Sequence, residues 1–101
     1  MNKSYIHHLP QEWHSISEIF VALGDPQRQR LLLAFGPGER LTAGQLSEAS
    51  PLNRTTVSHH LKVLRLAGVI SSEKVGKGVF YWVNQDTVSA ALNNVLDYLK
   101  A

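Results

Sequence analysis

Between Leu52 and Val83 the hydrophobic period changes within one short run, LNRTTVSHHLKVLRLAGVISSEKVGKGVFYWV, and that change constrains the fold more than any other feature of the chain. Val57, Leu61 and Leu64 recur at helical spacing and make one apolar stripe, while Arg54, Thr55, Ser58, His59 and Lys62 fill the opposite face. A helix face exposed only to water usually carries Glu and Lys at i,i+4, where they pair. No acid occurs from Asn53 to Ala67, and an acid there would repel phosphate. Asn53 is placed to cap this helix and Gly68 to stop it. Past Gly68 the residues take on strand character on both sides of Gly76-Lys77-Gly78, which predicts a hairpin with a basic tip.

A helix followed directly by a basic hairpin would let one element read base edges while the other grips the neighbouring backbone. The DNA-facing set expected from this pattern is Asn53, Arg54, Thr55, Thr56, Ser58, His59, Lys62 and Arg65 on the helix, with Lys74 and Lys77 on the hairpin. The N-terminal half of such a helix enters the groove, so Arg54 to Thr56, Ser58 and His59 are the expected readers. Lys62 and Lys77 are expected where phosphates pass.

Charge placement supports double-stranded DNA as the partner. The formal net charge is only +2, but from Asn53 to Gly78 the cations Arg54, Lys62, Arg65, Lys74 and Lys77 stand against Glu73 alone. With 101 residues the chain is expected to form a single domain, 1–101, near the lower end of what one core can stabilise, so a second copy is a natural source of further burial. An apolar fraction of 44% suits an ordinary soluble globule. No run approaches the ~20 apolar residues of a membrane span, and none resembles a signal peptide. No membrane partner is therefore expected, and a DNA reader belongs in the cytoplasm. The absence of cysteine excludes a disulfide framework, a thiolate metal site and a thiol switch.

Along the chain, residues 1–9 lack a period and read as an arm. From Pro10 to Leu23, Ile16, Ile19, Phe20 and Leu23 predict an amphipathic helix ended by Gly24. Asp25-Pro26 reads as a cap followed by proline at the first helical position, with a helix running to Gly36-Pro37-Gly38. Thr42 and Gln45 make a capping box for a short helix through Ala49, and Ser50-Pro51 turns into the reading helix. Helix, turn and helix from Thr42 to Ala67 form a helix-turn-helix. After the hairpin, Asn84 or Asp86 can cap a last helix, 86–100, with a stripe of Val88, Ala91, Leu92, Val95 and Leu99. Little chain remains to cover that stripe, so the first helix or a second copy must. The seam residues expected on this basis are Ile16, Phe20, Val88, Leu92, Val95 and Leu99. The fold class is mainly α with a small β-hairpin: a homodimeric winged helix-turn-helix of about five helices and a two-stranded wing.

Three motifs, ALGDPQRQRLLLAF at Ala22 to Phe35, TTVSHHLKVLRLAGVI at Thr55 to Ile70 and GKGVFYWV at Gly76 to Val83, resemble the ArsR/SmtB family of small bacterial winged-helix repressors. The resemblance implies a symmetric homodimer joined through its first and last helices, bound to a partly palindromic operator and released by an inducer. It also implies metal sites, and here the residues depart from the family. Arg40-Leu41-Thr42-Ala43-Gly44-Gln45-Leu46 stands where the family's thiolate motif would lie, and it contains no sulfur. At the family's site between the two last helices Asp86 matches one ligand, whereas Thr87 or Val88, Tyr98 and Ala101 fill the other positions. One carboxylate of four does not hold zinc or nickel, so neither a metal nor another cofactor is expected.

Competing readings are weaker on physical grounds. His59 and His60 are adjacent and point apart on a helix, so they cannot share a metal. An alternative nitrogen and oxygen site would use His7, His8 and His14 with Glu18 one turn beyond His14. Phe80, Tyr81 and Trp82 read as core or hairpin packing before base stacking, and Trp13 as an interface anchor before a pocket wall. There is no glycine-rich phosphate loop, nucleophile elbow or paired-acid cleft to suggest catalysis. The rival from another class is a winged helix that serves as a protein-interaction module or dimerising antagonist without binding DNA. The open alternatives for an inducer are a small organic molecule at the seam, a protein antagonist, a metal held by the arm, or no inducer at all.

Overall fold

The computed structural model describes residues 4–101, and residues 1–3 of the expected arm lie outside the described residues. A 3-10 turn at Gln11–Trp13 leads into helix α1, His14–Leu23. The helix expected from Pro10 thus opens as a tighter turn, closed by the Trp13 N–H donating to the Pro10 carbonyl at 2.9 Å. Asp25 caps helix α2, Pro26–Leu33, by accepting from the Gln27 N–H at 2.7 Å, with proline at the first position as the sequence predicts. The helix is shorter than its apolar run. Ala34 and Phe35 donate three residues back, to Leu31 and Leu32, and this tightening turns the Phe35 ring toward the core.

Helix α3, Ala43–Glu48, carries the expected capping box, with Gln45 N–H donating to Thr42 Oγ1 at 3.1 Å and Thr42 N–H to Gln45 Oε1 at 2.9 Å. Helix α4, Arg54–Leu66, begins at Asn53, whose Oδ1 accepts from the Thr56 N–H at 2.8 Å. It ends in a Schellman turn: the Val69 N–H reaches the Leu64 carbonyl and the Gly68 N–H that of Arg65, each at 3.0 Å. Gly68 sits at φ +83°, where a side chain would be strained.

Strands β1, Ile70–Val75, and β2, Gly78–Val83, pair antiparallel from Ile70 opposite Val83 to Val75 opposite Gly78. Gly76 takes φ +60° as the first of two loop residues, as a type II′ hairpin requires. Leu41 bridges to Tyr81 on the far side of β2, through N–H to carbonyl bonds of 2.8 and 2.9 Å in both directions. Helix α5, Gln85–Lys100, follows. Asn84 precedes it without capping it by its side chain, contrary to expectation. Its Nδ2 donates to the Gly68 carbonyl at 3.0 Å and lies 2.8 Å from Ser71 Oγ, while its backbone N–H bonds to Val69. The side chain therefore clamps the end of α4 to the root of the hairpin.

The α4 stripe lies at the centre of the core. Val57, Leu61 and Leu64 are fully buried with Leu46, Val69 and Ile70, each contributing about 1.5–3 kcal/mol through burial. Ile16, Ile19 and Ala22 of α1, Leu31 of α2 and Ala91 of α5 complete it.

Two seam expectations require correction. Ile16 is 3% exposed within one protomer, so its side chain has almost no surface left to bury against a second copy; Phe20, one turn on, remains exposed. The α5 stripe divides. Val88, Ala91 and Val95 turn onto the protomer's own core, while Leu92, Leu96 and Leu99 stay exposed.

Candidate nucleic-acid interface

The helix-turn-helix and the wing each inherit their direction from what they bury. Because Val57, Leu61 and Leu64 point inward, Thr55, Ser58, His59 and Lys62 must share the outward face at i, i+3, i+4 and i+7, and all four are exposed. Asn53, Arg54 and Arg65 are exposed as well, and Thr56 is half-buried beside the cap. Lys74 and Lys77 project from β1 and the hairpin tip and are exposed. The helical candidates are thus brought onto one element with a common outward direction. The two wing cations sit on a second element, held to the first by the Schellman turn and Asn84.

Electrostatics favours an anionic partner here. The ion pairs among the described residues are Arg28 with Asp25 and Arg40 with Glu73. Neither uses a cation of α4 or of the wing tip, so Arg54, Lys62, Arg65, Lys74 and Lys77 keep their charge for an external anion. Glu73 is the one acid between Asn53 and Gly78, and its charge is answered from outside that segment. Arg40 Nη1 lies 3.0 Å from Glu73 Oε2, and the guanidinium stacks 4.2 Å above the Trp82 ring. Arg40 and this role of Trp82 were not anticipated. The Leu41–Tyr81 bridge places Arg40 beside Trp82, and nothing local in the sequence announces that bridge.

The aromatics of β2 follow strand alternation, with Tyr81 and Val83 packed on the core and Trp82 beneath Arg40. His59 points out. His60 turns inward, and its Nδ1 is buried with no hydrogen-bond partner. The arm histidines are not gathered into a site. The His14 Nε2–H donates to the Leu9 carbonyl at 3.0 Å, His7 packs edge-on to Tyr5, and no cluster of three or more His, Cys, Asp or Glu residues suited to a metal occurs among the described residues. Asp86 is exposed, and Tyr98 meets Trp13 edge to face at 5.8 Å, which makes Trp13 an anchor between α1 and α5 within one protomer.

Comparison with known proteins agrees with this arrangement. A family model described as a helix-turn-helix domain matches residues 23–73. The transcriptional repressor SdpR of Bacillus subtilis is 30% identical over 84 residues, covering 83% of this chain and 92% of SdpR. A transcriptional repressor SmtB homolog of Synechocystis is 33% identical over 85 residues, covering 84% of this chain and 64% of that protein. Among solved structures, an ArsR-like transcriptional regulator from Rhodococcus superposes with a TM-score of 0.80 at 22% identity, covering 88% of this chain and 83% of that one. The homodimeric winged helix-turn-helix DNA-binding domain Mb0332 of Mycobacterium bovis gives 0.70 at 17% identity, covering 91% and 90%.

Proposed function

Because this chain belongs to the ArsR/SmtB family of helix-turn-helix transcriptional regulators, we propose that it acts as a homodimeric repressor that binds an inverted-repeat operator. It is a cytoplasmic regulator and not an enzyme. The observation that carries this reading is the outward face of α4, where Thr55, Ser58, His59 and Lys62 stand without an acid and without an internal partner for the cation. Short hydroxyl and imidazole groups can approach base edges closely, and flanking cations supply the counterion release that drives binding to DNA. Thr55, Thr56, Ser58 and His59 are assigned to bases, and Lys62, Arg65, Lys74 and Lys77 to phosphates, with Asn53 holding the helix start. The seam is assigned to Phe20, Leu92 and Leu99, joined by Leu96, with Val88 and Val95 at its edge.

Selection of genomic fragments on the purified protein, followed by footprinting, tests the proposal. The expected footprint covers two half-sites related by a dyad and centred about one helical turn apart, roughly 34–36 Å. Affinity should fall steeply as salt rises. Failure to retain any fragment at low salt, or a footprint on one unsymmetrical half-site, would overturn it.

A further inference from the structure

The geometry points to Arg54 as a contact to the DNA backbone and not a base reader, with Gly44 providing the seat that holds its guanidinium. The inference rests on the DNA-binding reading above and assigns a different role to one of its residues. Arg54 occupies the first position of α4, from which an extended side chain could run forward toward base edges. Instead it lies back across the first turn of α3. A methyl group placed on Gly44 would stand 3.8 Å from Arg54 Nη1 and 3.9 Å from Cζ, in van der Waals contact with the guanidinium, and 3.8 Å from Thr42 Oγ1. Glycine is a poor helix residue; a methyl group here would only touch the guanidinium, but a longer side chain would extend into the place it occupies.

That position matters because of how the two helices of a helix-turn-helix meet a duplex. The second helix enters the major groove, while the first crosses the backbone. A cation resting on the first helix is therefore displaced from the groove floor toward the phosphates. Among the described residues no carboxylate pairs with Arg54, so its planar fork of donors is open to an external acceptor. A phosphodiester oxygen matches that fork, which can bind it through two N–H groups at once. Arg54 on this account fixes the register of α4 on the backbone and leaves sequence discrimination to Thr55, Ser58 and His59.

The test uses the full chain and compares the wild type with Arg54→Ala, Arg54→Lys, Gly44→Leu and His59→Ala. Affinity is measured for the selected genomic fragment and for a scrambled fragment of equal length across a salt series. Arg54→Ala should weaken both DNAs by the same several-fold factor and make the slope of log affinity against log salt shallower by about 0.9 for each protomer in contact. Arg54→Lys should keep most of that slope. Gly44→Leu, whose side chain takes the guanidinium's place, should reproduce the Arg54→Ala loss with the far-UV circular dichroism unchanged, whereas His59→Ala should weaken the selected fragment alone. Loss confined to the selected fragment in Arg54→Ala, with an unaltered slope, would make Arg54 a base reader and overturn the assignment. Wild-type affinities in Gly44→Leu would overturn the seat. A wild type that binds neither fragment would instead overturn the DNA-binding reading on which both depend.

Discussion

The reader, formed by α3, α4 and the hairpin, and the flank, formed by α1 and α5, treat their hydrophobic residues differently. On α4 the whole Val57, Leu61 and Leu64 stripe is sealed inside the protomer, and the outward face is polar and basic. On the flank, α5 leaves Leu92 at 42%, Leu96 at 47% and Leu99 at 71% exposure, and α1 leaves Phe20 at 43%. Val21 of α1 and Leu66 at the end of α4, both exposed, line a shared groove between those two helices. The reader buries its apolar stripe within one chain, whereas the flank leaves an apolar surface uncovered, which suits the homodimer proposed above.

The largest effect should follow from damaging the unfinished side. Leu92→Glu is expected to convert the protein to a monomer in sedimentation at micromolar concentration, because a two-fold seam would bring two carboxylates together in a dry contact at a cost of several kcal/mol. Operator affinity should fall with it, since each half-site is then bound alone. Leu92 is exposed in the protomer, so the fold should survive and thermal unfolding should remain cooperative. A wild type that sediments as a monomer would break the comparison at once.

The two regions were also unequally legible in the sequence. The reader could be located because its signals are local: Asn53 caps, Gly68 stops, the glycines of the hairpin tip set the turn, and the absence of acids marks a face. The Thr42–Gln45 box and the Asp25-Pro26 start were readable for the same reason. The flank was read with its faces merged. Period alone places Val88, Leu92, Val95 and Leu99 on one side of a helix, but which of them meets α1 depends on a crossing that no local rule specifies. Ile16 is the same case: period marks it as apolar, but not that it packs into the core of its own protomer. The Arg40–Trp82–Glu73 group and the Asn84 clamp depend on contacts between residues far apart in sequence, and such contacts leave no mark on spacing.

Within the reader, a smaller contrast separates reading from gripping. His59→Ala should cost about 1–3 kcal/mol on the operator and little on random DNA, with the salt slope unchanged, because a base contact is made only at its own sequence. Lys77→Ala should weaken both DNAs by one common factor and flatten the slope by about 0.9 per protomer. Competition binding at two salt concentrations distinguishes the two patterns. A Lys77→Ala protein that loses the operator but keeps random DNA would show that the wing reads sequence.

The smallest effect concerns the junction that joins the two regions. Arg28 Nε and Nη2 donate to the carbonyls of Ala22 and Val21, and Gln29 Nε2 donates to that of Leu23 at 2.6 Å, so α2 side chains close the end of α1. Asp25 holds the start of α2, and its pKa is lowered from the ordinary 3.8, chiefly by the Gln27 N–H and further by the N–H and guanidinium of Arg28. A carboxylate whose pKa is depressed on folding stabilises the folded state above its unfolded value and loses that contribution as pH falls through the lower folded value. Asp25→Asn keeps the capping oxygen but removes the charge. The variant should therefore unfold at slightly lower urea than the wild type at neutral pH, and the two midpoints should converge as pH drops below 3.8. Equal midpoints at neutral pH would show that the charge at this cap adds nothing. If the junction couples flank to reader, the offset should appear equally in the fluorescence of Trp13 on the flank and of Trp82 on the wing, read from single-tryptophan variants. An offset in one probe alone would mean that the flank and the reader unfold separately.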